Sequence, residues 1–150
     1  YSENEAKITL MSVPDKPGIA AEVFAPLADQ DINVDMIVQN IAADGRRTDM
    51  TFTVPRDNKD KAIQALKNVE FLRDIEMRSE EDVTKVSIVG VGMKSHAGVA
   101  RTMFETLAAK AINIQVISTS EIKISVLIPA DYTELAVRAL HEAYKLDAPD

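Results

Sequence analysis

Two short loops carry the groups with the clearest capacity for chemistry. In "PDKPG", Asp15 and Lys16 precede Pro17 and Gly18, and Ile19 and Ala20 open an apolar helical pattern. Pro17 suits the first helical turn, where its missing N–H costs nothing, with Asp15 or Lys16 at the cap. The free N–H groups of such a helix start either need capping alone or receive an anion such as an amino-acid carboxylate. Asn33 and Asn113 each stand at a strand entry just after a helical pattern. Each either shapes a turn or offers its amide to a ligand's ammonium or carboxylate, with Asp35 or Asp15 as a further acceptor. Spacing alone leaves both pairs of alternatives open.

Nothing in the chain resembles an assembled catalytic centre. "GVGMKS", beginning at Gly90, has the first two glycines of a dinucleotide loop, but Ser95 stands where the third belongs. The order Gly92-Met93-Lys94 breaks the nucleotide-triphosphate loop pattern as well. His96 and His141 fall in a loop and a polar helix, and neither has a base or metal partner in the pattern. The absence of cysteine excludes disulfides, thiolate nucleophiles and cysteine metal sites, and fits a reducing cytoplasm. These features point to a binding protein without a resident cofactor or metal.

Those loops need a scaffold, and 150 residues with 46% hydrophobic content can bury a core for one ordinary domain or two small ones. The net charge of −7 works against the phosphate neutralisation that nucleic-acid binding requires. With only 5% aromatic residues, base-stacking platforms are scarce too. No apolar run approaches the roughly 20 residues that span a bilayer, and "YSENEAK" has neither part of a signal peptide. The expected location is the cytosol, with neither nucleic acid nor membrane as partner.

The chain repeats itself. A shift of 78 positions places Lys7, Val13 and Lys16 on Lys85, Val91 and Lys94. A shift of 80 places Gly18, Phe24, Leu27, Ile32, Asn33 and Ile37 on Gly98, Phe104, Leu107, Ile112, Asn113 and Ile117. A shift of 74 then pairs Pro55, Ala62 and Leu66 with Pro129, Ala136 and Leu140. The register changes only where a loop or hairpin belongs, which marks an internal duplication.

Each copy reads strand, helix, strand, strand, helix. "KITLMSV" and "KVSIVGV" are β-branched runs, and an apolar stripe at helical spacing follows each. "INVDMIVQNIA" and "INIQVIS" are second strands. "TDMTFTVP" and "EIKISVLIP" put Met50, Phe52 and Val54, and Ile122, Ile124, Val126 and Ile128, on one face by alternation. Asp44-Gly45 signals a hairpin in the first copy, and the second turns near Thr119-Ser120. "LRDIEMRS" supplies a weak last strand to the first copy, whereas the second has none. The architecture is therefore α+β, two ferredoxin-like βαββαβ units spanning 1–79 and 80–150, each an antiparallel sheet with both helices on one face. The final strand of the second unit is either missing or shared. Asn33, Asp35, Ile37 and Gln39 share a parity, as do Asn113, Gln115, Ile117 and Thr119, and each row is a plausible docking surface.

On these residues a resemblance can be stated. "DKPGIAAEVFAPLADQDINVDMIVQN" resembles the first ACT domain of the regulatory half of aspartate kinases, and the stretch from "KVSIVGVGMKSHAGVA" to "STSEIKISVLI" resembles the second. The resemblance implies small ligand-binding units that pair through their sheets and take up amino acids at interfaces. It further implies feedback inhibition by L-threonine, L-lysine or both, acting on a part that phosphorylates L-aspartate with ATP. That catalytic part is outside these residues, so the chain alone is expected to be inactive, as an excised domain or a separate regulatory subunit. Its expected partners are the amino-acid effector, a second copy of itself, and the catalytic domain or subunit. The alternative is a free-standing tandem ACT sensor of another enzyme or a transcription regulator.

Carried over residue by residue, the effector contacts implied in the first unit are Asp15, Lys16, Pro17, Gly18, Ile19, Ala20, Asn33, Val34, Asp35 and Gln39. Those in the second are Val99, Ala100, Asn113, Ile114, Ser120 and Glu121. The second unit has "KSHAG" where the first has "KPG", so its loop is longer and its pocket need not take the same ligand.

Overall fold

Alternating apolar side chains define the strands. In β1 (Ser2–Pro14) Ala6, Ile8 and Leu10 are fully buried, and in β3 (Arg47–Pro55) Met50, Phe52 and Val54 answer them. The stripe Ile19, Val23 and Leu27 of α1 (Ile19–Asp29), with Ala62 and Leu66 of α2 (Lys59–Lys67), closes over that face. Phe24 meets Phe52 edge to face, with centroids 5.2 Å apart. The computed structural model of the chain describes residues 1–41, 45–89, 96–120 and 122–147. Among these, Asn4–Glu81 form one compact unit, and Tyr1–Glu3 together with Asp82–Asp150 form the other.

In the first unit the strand order is β2-β3-β1-β4, with β2 at Asp35–Ile41 and β4 at Met77–Val89. In the second it is β1-β4-β6-β5, with β5 at Val116–Thr119 and β6 at Lys123–Pro129. The pairs β1–β3, β2–β3, β4–β6 and β5–β6 are all antiparallel. Val86, Ile124, Val126 and Ile128 form the second core with Met103 and Leu107 of α3 (His96–Ala109) and Ala136 and Leu140 of α4 (Thr133–Asp147).

The structure differs from the pattern reading in specific places. The weak last strand of the first unit and the first strand of the second are one continuous strand, β4. Glu80, Glu81 and Asp82 interrupt its alternation and hide that continuity from a periodicity argument. The compact units divide after Glu81, and the first three residues group with the second unit. The second strands start late, at Asp35 and Val116, and Ile122, at the turn end of its row, is 55% exposed. Of the Asp44-Gly45 hairpin, Asp44 lies outside the described residues, as does the whole of "GVGMKS".

Both first helices end in the same way. Ile32 N–H bonds to Leu27 C=O and Asp31 N–H to Ala28 C=O; in the second unit Ile112 bonds to Leu107 and Ala111 to Ala108. Asp31 and Ala111 both have φ of 56°, the left-handed turn that closes a Schellman motif. Aspartate tolerates this conformation better than alanine does. Ala111→Gly should therefore raise stability by about 0.5–1 kcal/mol, and Asp31→Gly by less, as read from thermal melts of the two variants.

Candidate functional site

The loop after β1 is aimed by a bulge. Ser12 has φ of 54°, and the β1–β3 register shifts between Leu10 and Val13. Its N–H donates to Asp49 Oδ1 at 2.8 Å, and its carbonyl accepts from Arg47 at 2.9 Å. Asp15 N–H then bonds to the Arg46 carbonyl at 2.9 Å, clasping the loop to the start of β3. Sequence reasoning missed Ser12, Asp49, Arg46 and Arg47. A bulge leaves no mark in composition, and their only signal was their place beside a hairpin.

The helix start differs from the capping expectation. Neither Asp15 nor Lys16 caps α1, and Pro17 lies before its first turn; Gly18, at φ 87°, occupies the cap position, and no side chain bonds to the helix start. Proline disfavours a helical Lys16, and the left-handed Gly18 fixes the entry one residue later. Ile19 N–H bonds back to the Lys16 carbonyl at 3.2 Å, and its side chain is only 3% exposed. Lys16, Pro17, Gly18 and Ala20 are exposed, and Asp15 is half-buried. The first-turn amides of α1 that follow Ile19 thus open beside a largely exposed loop.

The strand row keeps its expected parity. Asn33, Asp35, Ile37 and Gln39 are exposed, whereas Val34, Met36 and Val38 are buried or half-buried. The Asp35 carboxylate accepts the Met36 N–H at 2.8 Å, which holds the φ of 50° at Met36, and Thr53 Oγ1 donates to the Asp35 carbonyl at 3.2 Å. In the second unit Asn113 and Ser120 are exposed, and Glu121 lies outside the described residues. Val34, Val99, Ala100 and Ile114 pack partly against the cores, so what they have to offer a ligand is chiefly backbone.

Strand register separates the expected residues into two groups. Val13, Thr48 and Ile41 stand level across β1, β3 and β2, as do Lys7, Thr53 and Asp35. These rows are five residues apart along β3, about 17 Å at strand rise. Residues 33–35 therefore sit at one end of β2, and the 15–20 loop follows the other end of β1, with Gln39 towards the loop end. The second unit divides likewise: Thr119, Ile124 and Ile88 stand level near Ser120 and the start of α3, whereas Asn113 and Ile114 precede the opposite end of β5. No single unit brings its own set of expected contacts together.

The cavities lie elsewhere. One of about 480 Å³ is lined by Tyr1, Val86, Ile88, Val137, His141 and Tyr144, and one of about 310 Å³ by Lys7, Thr9, Met11, Arg78, Ser79 and Glu80. Neither contains an expected effector residue. Among the described residues no group of three or more His, Asp or Glu is placed to hold a metal ion. No helix among them is long and apolar enough to cross a membrane.

Both halves of this geometry have relatives. Residues 7–71 and residues 86–144 each match a family model described as the ACT domain. Aspartate kinase of Pseudomonas putida is 54% identical over 152 residues, covering 99% of this chain and 36% of the relative. The ligand-free regulatory subunit of aspartate kinase from Thermus thermophilus superposes with a TM-score of 0.86 at 45% identity, covering 95% of this chain and 94% of that one. A structure of aspartokinase alpha and beta subunits gives a TM-score of 0.86 at 46% identity, covering 96% of this chain and 95% of that one. The chain belongs to the ACT-domain regulatory family of aspartate kinases. It spans about a third of the length of the curated relatives it matches.

Proposed function

We propose that the chain is a cytoplasmic amino-acid sensor that takes up L-threonine, L-lysine or both between ACT units of two copies, and so imposes feedback inhibition on aspartate phosphorylation. The observation that carries this reading is the split site. β2 is the free edge of the first unit and β5 that of the second. An antiparallel meeting of two such edges from different chains sets the start of one strand beside the end of the other. Asn113 and Ile114 of one copy then face Gln39 and the 15–20 loop of its partner. Ile37 and Ile117, 51% and 45% exposed at equivalent positions of these strands, offer apolar surface for the same contact.

Each group has a role in such a pocket. The first-turn amides of α1 receive the effector carboxylate, and Gln39, Asn113 and the half-buried Asp15 hold its ammonium and side chain through amide and carboxylate oxygens. The catalytic domain or subunit that responds carries the ATP site; this chain carries no cofactor of its own. A ligand bound only in the paired arrangement stabilises it by RT ln(1 + [L]/Kd), about 2.7 kcal/mol at a hundredfold excess. That bias can shift the attached kinase because the ligand's affinity differs between the two states.

Titration calorimetry with threonine and lysine, singly and together, alongside sedimentation, tests this. Saturable heat with tighter self-association is expected from at least one of them. No heat and no change in association from either would sink the proposal.

A further inference from the structure

The two helix starts are held by different means, although the units are copies. In the first, Ile19 is buried and the loop before it is clasped to β3. Its counterpart in the second unit, Val99, is only half-buried. Gly98, the counterpart of the Gly18 cap, lies inside the first turn of α3, where glycine favours the helix less than other residues do. Two hydroxyls act on the carbonyls of this turn: Thr102 Oγ1 donates to Gly98 O at 3.1 Å, and Tyr144 Oη donates to Val99 O at 2.6 Å. Thr102 belongs to α3 itself, so its bond cannot tie the turn to anything else. Tyr144 belongs to α4, and its ring lines the 480 Å³ cavity with Tyr1, Val86 and Val137. The position equivalent to Tyr144 in the first unit is Glu70, exposed in a 3-10 turn, which has no phenol to make this link.

We propose that Tyr144 is a positioning residue for the second half-site: its phenol fixes the first turn of α3, and with it the backbone of Val99 and Ala100 that faces the effector. This rests on the sensor reading above. The phenol acts on this backbone through its hydroxyl, without Tyr144 touching the ligand.

Tyr144→Phe removes the hydroxyl and keeps the ring, and Val137→Ala loosens the same cavity and keeps the hydroxyl. Both are made in the full 150-residue chain and titrated with threonine and lysine. Affinity should fall roughly threefold to tenfold in Tyr144→Phe, the effect of one hydrogen bond, and stay at the wild-type value in Val137→Ala even though its melting temperature drops. Without ligand, hydrogen exchange in Tyr144→Phe should quicken at residues 99–103 and not at 19–23. Wild-type affinity in Tyr144→Phe, unchanged exchange at 99–103, or equal weakening in Val137→Ala each overturns the inference while leaving the sensor reading in place. A wild-type chain that takes up neither amino acid overturns both.

Discussion

Phe52→Ala should cost about 3–5 kcal/mol of stability, the largest loss expected from any single side chain of the first unit. Phe52 is 0% exposed on the central strand β3, beneath α1. Truncation leaves a cavity in the first core cluster, opposite Ile8, and it also removes the edge-to-face contact with Phe24. Against a typical total of about 5–15 kcal/mol, that is a large share. At about 2–4 °C per kcal/mol for a chain of this size, the melting temperature should fall by roughly 6–20 °C. Urea denaturation gives the free energy, and hydrogen exchange should show protection lost first within residues 4–81. A loss below about 1 kcal/mol would mean that Phe52 does not pack as described.

Mixing two weakly binding variants should restore tight effector binding. Gln39→Ala and Asn113→Ala each remove one exposed amide, so neither should unfold the chain. On the proposed interface, each should weaken the effector about tenfold to a hundredfold, because the ligand's polar groups lose partners in a dry pocket. In a homodimer of either variant both sites are damaged. In a mixed dimer one site carries both changes and the other carries neither. After equilibration of equal amounts, about a quarter of all sites should bind with wild-type affinity. Calorimetry on the mixture reads this directly. A mixture no better than its components would place Gln39 and Asn113 in separate sites or in none.

The duplication was legible because it rests on side chains that the core demands. Ile8, Val23, Leu27, Phe52 and Leu66 recur as apolar or aromatic partners at fixed offsets, and all are buried. The outward row from Asn33 to Gln39 was legible for the same reason, since parity survives even the kink at Met36. What escaped the pattern depends on hydrogen bonds between distant segments. Asp49 reaches Ser12 across 37 residues, and Tyr144 reaches Val99 across 45, and neither contact leaves a periodic trace. The α1 cap was misplaced by one turn element, because Pro17 and Gly18 each favour a helix boundary and only geometry shows which of them provides it. Strand register, too, is set by pairing, so the opposed placement of the 15–20 loop and residues 33–35 could not be read from their closeness in sequence.

The grouping of Tyr1–Glu3 with Asp82–Asp150 bears on the order of events during synthesis. Residues 1–3 are made ahead of the residues from Asp82 onward with which they group. At about 5–20 residues per second, the wait for Asp82 is on the order of 4–16 s. Asn4–Glu81 form a contiguous stretch and can finish folding within that interval, before residues 1–3 have met the rest of their unit. The second unit closes only when residues from Asp82 onward meet Tyr1–Glu3, a long-range contact of the kind that slows folding.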